Sequence, residues 1–139
     1  MGQADLKFPM KFLIRAFFKT LRAVLGPILL LKEKLTTPKG IVRNQADQEE
    51  VNSQCRAMAL YQYQTCPFCM KVRREMAVLS LPIQRIDAQH PGPDRTALQT
   101  QGGQTKVPCL KVTDTSGQSL WMYDSDKIIA YLRGRFAAQ

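Results

Sequence analysis

Apolar and polar positions fall into two regimes along the chain, a helical first third and a mixed remainder. From Lys7 the basic residues Lys7, Lys11, Arg15 and Lys19 recur every four positions, with Arg22 three further on. At about 100° per residue they share an arc of roughly 120° on a helix, and Phe8, Phe12, Leu13, Ala16, Phe17, Leu21 and Val24 fill most of the rest, with Phe18 intruding on the basic face. Gly26-Pro27 predicts a break or kink, after which Ile28 to Leu31 with Lys32 and Lys34 begins a second short helix. Thr36 to Gly40 marks a turn. Asn44 to Gln54 is polar, glutamine-rich and acidic without an aromatic residue, which predicts a linker or at best a short exposed helix. The expected organisation is a basic amphipathic leader over 1–43, a linker over 44–54 and a folded domain over 55–139, beginning near Cys55 or Arg56.

In the domain, Ala59 to Tyr63 alternates as a short strand does, and a helix follows to about Ser80 with Val72, Met76 and Leu79 as its apolar spacing. Leu81 to Asp87 predicts a second strand, closed by a His90-Pro91-Gly92-Pro93 turn. Asp94 is the expected N-cap of a helix through about Thr100, which Gly102 and Gly103 stop. Val107 to Val112 and Ser119 to Tyr123 predict two strands joined as a hairpin through Thr113 to Gln118. Asp124 or Ser125 caps a last helix that runs through Ile128, Ile129 and Leu132 to about Arg135. The predicted order is βαβαββα.

Charge sharpens this division. Of a net charge of +9, residues 1–43 carry +7, nine Lys or Arg against Asp5 and Glu33, and the remainder carries only +2. A folded part so nearly neutral, without interleaved basic and aromatic motifs, argues against nucleic acid as a partner. For the leader, a bilayer span from Phe12 to Leu31 has the length but must bury Arg15, Lys19 and Arg22, each costing about 2.5–3.5 kcal/mol near the bilayer centre. An interfacial helix is favoured, with cations over residues 7–34 meeting an anionic membrane surface and Phe and Leu entering the acyl region. Packing of its apolar side on this protein or a partner is the remaining reading. Four irregularly spaced cysteines without a cleavable secretory signal imply a reducing compartment, so the expected location is cytoplasmic, peripheral on the inner face of the cell membrane.

The chemistry concentrates in Cys66-Pro67-Phe68-Cys69, at the strand-to-helix turn. A helix N-terminus presents unpaired N–H groups and a partial positive charge that favour a thiolate, so Cys66 is the candidate nucleophile. Cys69, one helical turn on, is placed to attack a mixed disulfide formed on Cys66. A structural zinc needs four ligands, and Cys55, Cys109 and His90 supply no second close pair, so no metal is expected. Cys109 reads as a small core residue and His90 as a solvated loop residue. Cys55, at the domain edge, reads as a free thiol that could be exposed.

Thr65-Cys66-Pro67-Phe68-Cys69 resembles the dithiol site of glutaredoxins. Gly102-Gly103-Gln104-Thr105-Lys106-Val107-Pro108 resembles the segment that carries their cis-proline, and Tyr123 to Ile128 resembles the start of their last helix. The last two segments are also similar to the glutathione-binding N-terminal domain of glutathione transferases. The resemblance covers about residues 56–136. It implies an α/β thioredoxin-like (glutaredoxin) fold with a four-stranded mixed sheet, and the helical extension before it. It further implies that Val107, ahead of a cis Pro108, offers its backbone groups to the cysteine part of glutathione, and that Ser125 and Asp126 hold the γ-glutamyl end. Where that family has Lys or Arg three residues before the first cysteine, this chain has Tyr63. Lys106, Arg95 or Gln99 are then candidates for the glycine carboxylate, and Lys71 or Arg73 for positive potential near Cys66. The implied function is a glutathione-dependent thiol–disulfide oxidoreductase, with glutathione as reductant and glutathionylated or disulfide-containing proteins as partners. The alternatives are an iron–sulfur cluster module holding a cluster between two copies with glutathione, and a glutathione-transferase-like domain acting on electrophiles.

Overall fold

Residues 10–137 are described by the computed structural model, and they divide into two units between Leu35 and Thr36. The first unit is one helix, α1 (Met10–Thr36), none of whose residues is buried. Lys7 and Phe8 of the basic and apolar pattern lie outside the described residues. The expected break at Gly26-Pro27 is absent, since α1 runs through Pro27. Pro27 forfeits one backbone bond, but Gly26 has no Cβ to meet the proline ring, so the helical geometry before it survives. Lys11, Arg15, Lys19 and Arg22 therefore share one long surface with Phe12, Leu13, Phe17, Val24, Ile28 and Leu31, all of these apolar residues exposed.

In the second unit the elements are α2 (Gln45–Cys55), β1 (Met58–Gln62), α3 (Pro67–Val78), β2 (Gln84–Asp87), α4 (Pro93–Thr100), β3 (Cys109–Thr113), β4 (Ser119–Tyr123) and α5 (Ser125–Phe136). From β1 onward this is the expected βαβαββα order. The sheet order is β2-β1-β3-β4, with β1 parallel to β2 and antiparallel to β3, and β3 antiparallel to β4. This is a thioredoxin-like mixed sheet. Alternation along β1 sends Met58 and Leu60 to one face and Ala59 and Tyr61 to the other. The first face packs on α2, α3 and α5 through Val51, Val72, Met76, Ile128, Leu132 and Phe136. On the second, Tyr61, Cys109, Trp121 and Tyr123 meet Leu98 of α4.

The stretch expected as a linker, or at best a short exposed helix, is the helix α2, and it is not exposed throughout. Asn44 caps it, its side chain accepting from the Asp47 N–H at 2.8 Å. Val51 and Cys55, one turn apart, are fully buried, so the ordered domain begins well before Cys55. Arg43 anchors the entry by donating to the Leu79 carbonyl at 2.7 Å and the Phe136 carbonyl at 3.2 Å, at the C-terminal ends of α3 and α5. At α4 the N-cap is Gly92 and not Asp94, because Pro93 takes the first helical position, where a missing N–H costs nothing. α5 is capped by Asp124, whose carboxylate accepts from the Asp126 N–H at 3.0 Å.

Candidate active site

β1 ends at Gln62 and the chain turns through Tyr63-Gln64-Thr65 into α3, leaving Cys66 as the N-cap residue with extended geometry (φ −73°, ψ 124°). Pro67 follows at the first helical position, where its fixed φ suits the helix. Cys66 is half-buried, Phe68 is exposed, and Cys69 is fully buried. Cys69 lies one helical turn behind Cys66 on α3. Burial pushes the Cys69 thiol up to about 12; the Tyr63 backbone works against this, the Cys66 sulfur adds to it, and the Arg73 charge opposes it. An accessible sulfur at a helix N-terminus, with a protonated thiol one turn behind it, can attack a disulfide and then be relieved by its neighbour.

The second wall is the stretch from Gly102 to Pro108. The Val107-Pro108 peptide is cis. Gly103 has φ +90°, and a Cβ on Gly102 would stand 2.4 Å from the Tyr123 hydroxyl and 2.6 Å from the Leu98 carbonyl, so both glycines are required where they are. The Tyr123 hydroxyl donates to the Gln104 carbonyl at 3.0 Å and accepts from the Gln104 N–H at 3.3 Å. The Tyr63 hydroxyl donates to the Thr105 carbonyl at 3.4 Å. Tyr63, standing where a cation was expected, thus supports the wall that leads into Val107.

The third part is the start of α5. Ser125 is buried and Asp126 is exposed. The Asp126 carboxylate is held by the Lys71 ammonium from α3, so Lys71 is committed to an ion pair there. Asp124, between β4 and α5, has φ +81° and ψ 119°, a conformation that non-glycine residues rarely adopt.

A family model described as glutathione S-transferase, N-terminal domain, matches residues 60–139. The chain belongs to this family. Among its relatives is prostaglandin E synthase 2 of Danio rerio, 30% identical over 100 residues, which cover 72% of this chain and 24% of that protein. The chain therefore spans about a quarter of that relative's length. Among solved structures, a maleylacetoacetate isomerase of Anaeromyxobacter dehalogenans 2CP-1 with bound GSH is 20% identical, over 58% of this chain and 38% of that one, at a TM-score of 0.46. A wheat glutaredoxin is 18% identical, over 70% of this chain and 92% of that one, at a TM-score of 0.44.

In this transferase-family domain the other expected residues are placed as follows. Arg95 donates to the Gln89 carbonyl at 2.9 Å, which engages its guanidinium locally, while Lys106 and Gln99 are exposed. Cys109 is buried, with its thiol pushed up to about 11 by desolvation, as a core residue should be. Cys55 is buried and not exposed, its thiol likewise at about 11, because α2 brings it into the core. Among the described residues, no group of three or more His, Cys, Asp or Glu is placed to hold a metal ion. Sequence patterns missed Asp124 as a strained junction and the Tyr63 and Tyr123 hydroxyls as supports. Tyr-Asp-Ser-Asp over 123–126 carries a capping signal, but backbone φ is not legible from it.

Proposed function

We propose that this chain is a glutathione-dependent dithiol–disulfide oxidoreductase. The observation that carries the reading is the pair itself, a half-exposed Cys66 at the N-cap of α3 with a fully buried Cys69 one turn behind it. The Cys66 thiolate attacks a mixed disulfide on a glutathionylated or disulfide-containing protein and releases the protein thiolate. A glutathione thiolate then attacks a Cys66–glutathione adduct, regenerating the Cys66 thiolate and releasing oxidised glutathione. A Cys66–protein adduct is resolved by the Cys69 thiolate, which releases the protein thiolate, and two glutathiones then reduce the Cys66–Cys69 disulfide and leave as oxidised glutathione. Val107 pairs its backbone groups with the bound peptide as an added strand would, and Ser125 with Asp126 takes the γ-glutamyl end. The Lys71–Asp126 pair must open for that amine. Both side chains are exposed, so the exchange costs at most about 1 kcal/mol.

The test is reduction of a glutathionylated peptide coupled to glutathione turnover. Cys66→Ser falls to background, whereas Cys69→Ser keeps the glutathionylated substrate and loses intramolecular protein disulfides. Wild-type rates in Cys66→Ser would refute the assignment. A glutathione-dependent synthase or transferase is the second reading, favoured by the likeness to prostaglandin E synthase 2. Turnover of an electrophile without disulfide reduction would select it.

The reading includes a tether, with α1 lying on the anionic cytoplasmic face of a membrane. Among the described residues no helix is long and apolar enough to cross a bilayer. The four cations of one arc and the exposed Phe, Leu and Ile beside them suit an interfacial position. In liposome flotation, the chain is expected to float with anionic vesicles and to be released by high salt. Flotation that resists salt and alkaline wash, or no flotation at all, contradicts the tether.

A further inference from the structure

Arg73 is four residues after Cys69 on α3, so both side chains rise from the same face of the helix. Its guanidinium is turned inward, leaving the residue 6% exposed. One nitrogen donates to the Gln62 side-chain oxygen at 2.8 Å and, at the limit of hydrogen bonding, to the Tyr63 carbonyl at 3.5 Å; the other donates to the Gln64 carbonyl at 2.9 Å. These three residues form the path from β1 into the turn that carries Cys66. The fork therefore ties that turn to the helix that carries Cys69, and fixes a positive charge behind the motif where water screens it poorly.

We propose that Arg73 is the positioning residue of the resolving step, holding the 62–64 turn against α3 and supplying the positive potential under which Cys69 becomes a thiolate. The inference rests on the thiol–disulfide reading and gives its second half a named cation. Tyr63 leaves no charge in front of Cys66, and the charge stands behind Cys69 instead. In the reduced protein the neighbouring Cys66 sulfur pushes the Cys69 thiol further up and favours its protonated form. In a mixed disulfide the Cys66 sulfur can carry no charge, so that influence is removed. The Tyr63 backbone and the Arg73 charge remain as the influences that oppose desolvation. Cys69 gives up its proton to solvent and its thiolate attacks the Cys66 sulfur; the bond from Cys66 to the substrate sulfur breaks, the substrate leaves as a thiolate, and Cys66–Cys69 is the oxidised product. The other charged groups of α3 and α5 on this side are committed elsewhere, Lys71 to Asp126 and Glu75 to Arg133.

A symmetrical chromogenic aryl disulfide separates the two halves in stopped flow. The first aryl thiolate is released when Cys66 attacks and the second when Cys69 resolves, with a Cys66→Ser/Cys69→Ser variant giving the background from Cys55 and Cys109. Arg73→Gln is expected to slow the second release about tenfold at neutral pH and to raise its pH midpoint by about one unit, with the first release within about twofold of wild type. Arg73→Lys, which keeps the charge and surrenders the fork, is expected to hold the wild-type midpoint. An unchanged second release in Arg73→Gln, a first release slowed as much as the second, or a midpoint in Arg73→Lys that climbs by about one unit overturns the proposal. If Arg73→Gln does not fold, as judged by its thermal melt, the midpoint in Arg73→Lys decides alone. A wild-type chain that gives no first release refutes the oxidoreductase reading itself, and the inference falls with it.

Discussion

Tyr123 is one residue of β4, yet its hydroxyl grips both backbone groups of Gln104 and approaches the Cys109 thiol beneath the site. Its place above Gly102 leaves no room for a side chain there. Gly102→Ala is expected to destabilise the domain by about 1–3 kcal/mol, read as a lower urea midpoint, because the alanine methyl must displace the Tyr123 hydroxyl and the Leu98 carbonyl. Tyr123→Phe in the same background should recover part of the loss by removing the clashing oxygen; no recovery would place the strain at the Leu98 carbonyl instead. At this scale Cys66, Cys69, Gly102 and Pro108 were legible, since each acts through a local property: a thiol at a helix start, a missing side chain, a ring. The role of Tyr63 was not, and Arg73 was legible only as one of two candidate cations, because their partners are Thr105 at one remove and the 62–64 turn at another, and no local pattern names a partner.

Among the elements, α2 departs furthest from expectation. Its composition is that of a solvated segment, and only Val51 and Cys55, a stripe two residues wide, reach the core. Asn44 followed three positions later by Asp47 is a capping signature that polar composition outweighed. The segment ahead of it is equally fitted, with a Cβ on Gly40 standing 2.4 Å from the Ala77 carbonyl and Ile41 bonding Val78 at 2.9 Å. A chain that starts at Thr36 is therefore expected to be more stable than one that starts at Arg56 by at least about 3 kcal/mol, from lost burial of Val51 and Cys55 and the lost Arg43 caps. Equal urea midpoints for the two would show α2 to be the linker its composition implies. The sheet and its helices were legible because their alternation and turn residues are strong. The strand ends shifted by one to three residues, most at β2, where only Gln84–Asp87 pairs with β1.

Across the whole molecule, three thiols on two faces of one sheet answer to alkali together. Cys55, Cys69 and Cys109 are pushed up from an ordinary 9.0 to about 11, about 12 and about 11, in each case chiefly by desolvation. Each group is neutral in both states well below pH 9, so stability is whole there; as pH rises through 9 the unfolded chain ionises first, and stability falls until the folded thiols ionise as well. From about pH 8 to about pH 10 the loss is about 1 kcal/mol per thiol, measured as a falling urea midpoint. Cys55→Val should flatten that fall without touching the active pair, and an unaltered slope would show that Cys55 contributes nothing. By itself the sequence determined the order of elements, the dithiol at a helix start and the segregation of charge into residues 1–43, because periodicity, turn chemistry and charge are local quantities. Only the tertiary structure decided that Asn44 to Cys55 belongs to the core, that Lys71 closes on Asp126, and that the cation beside the dithiol is a buried Arg73. Those outcomes depend on which surfaces meet across long stretches of chain, and desolvation and charge pairing exist only after they have met.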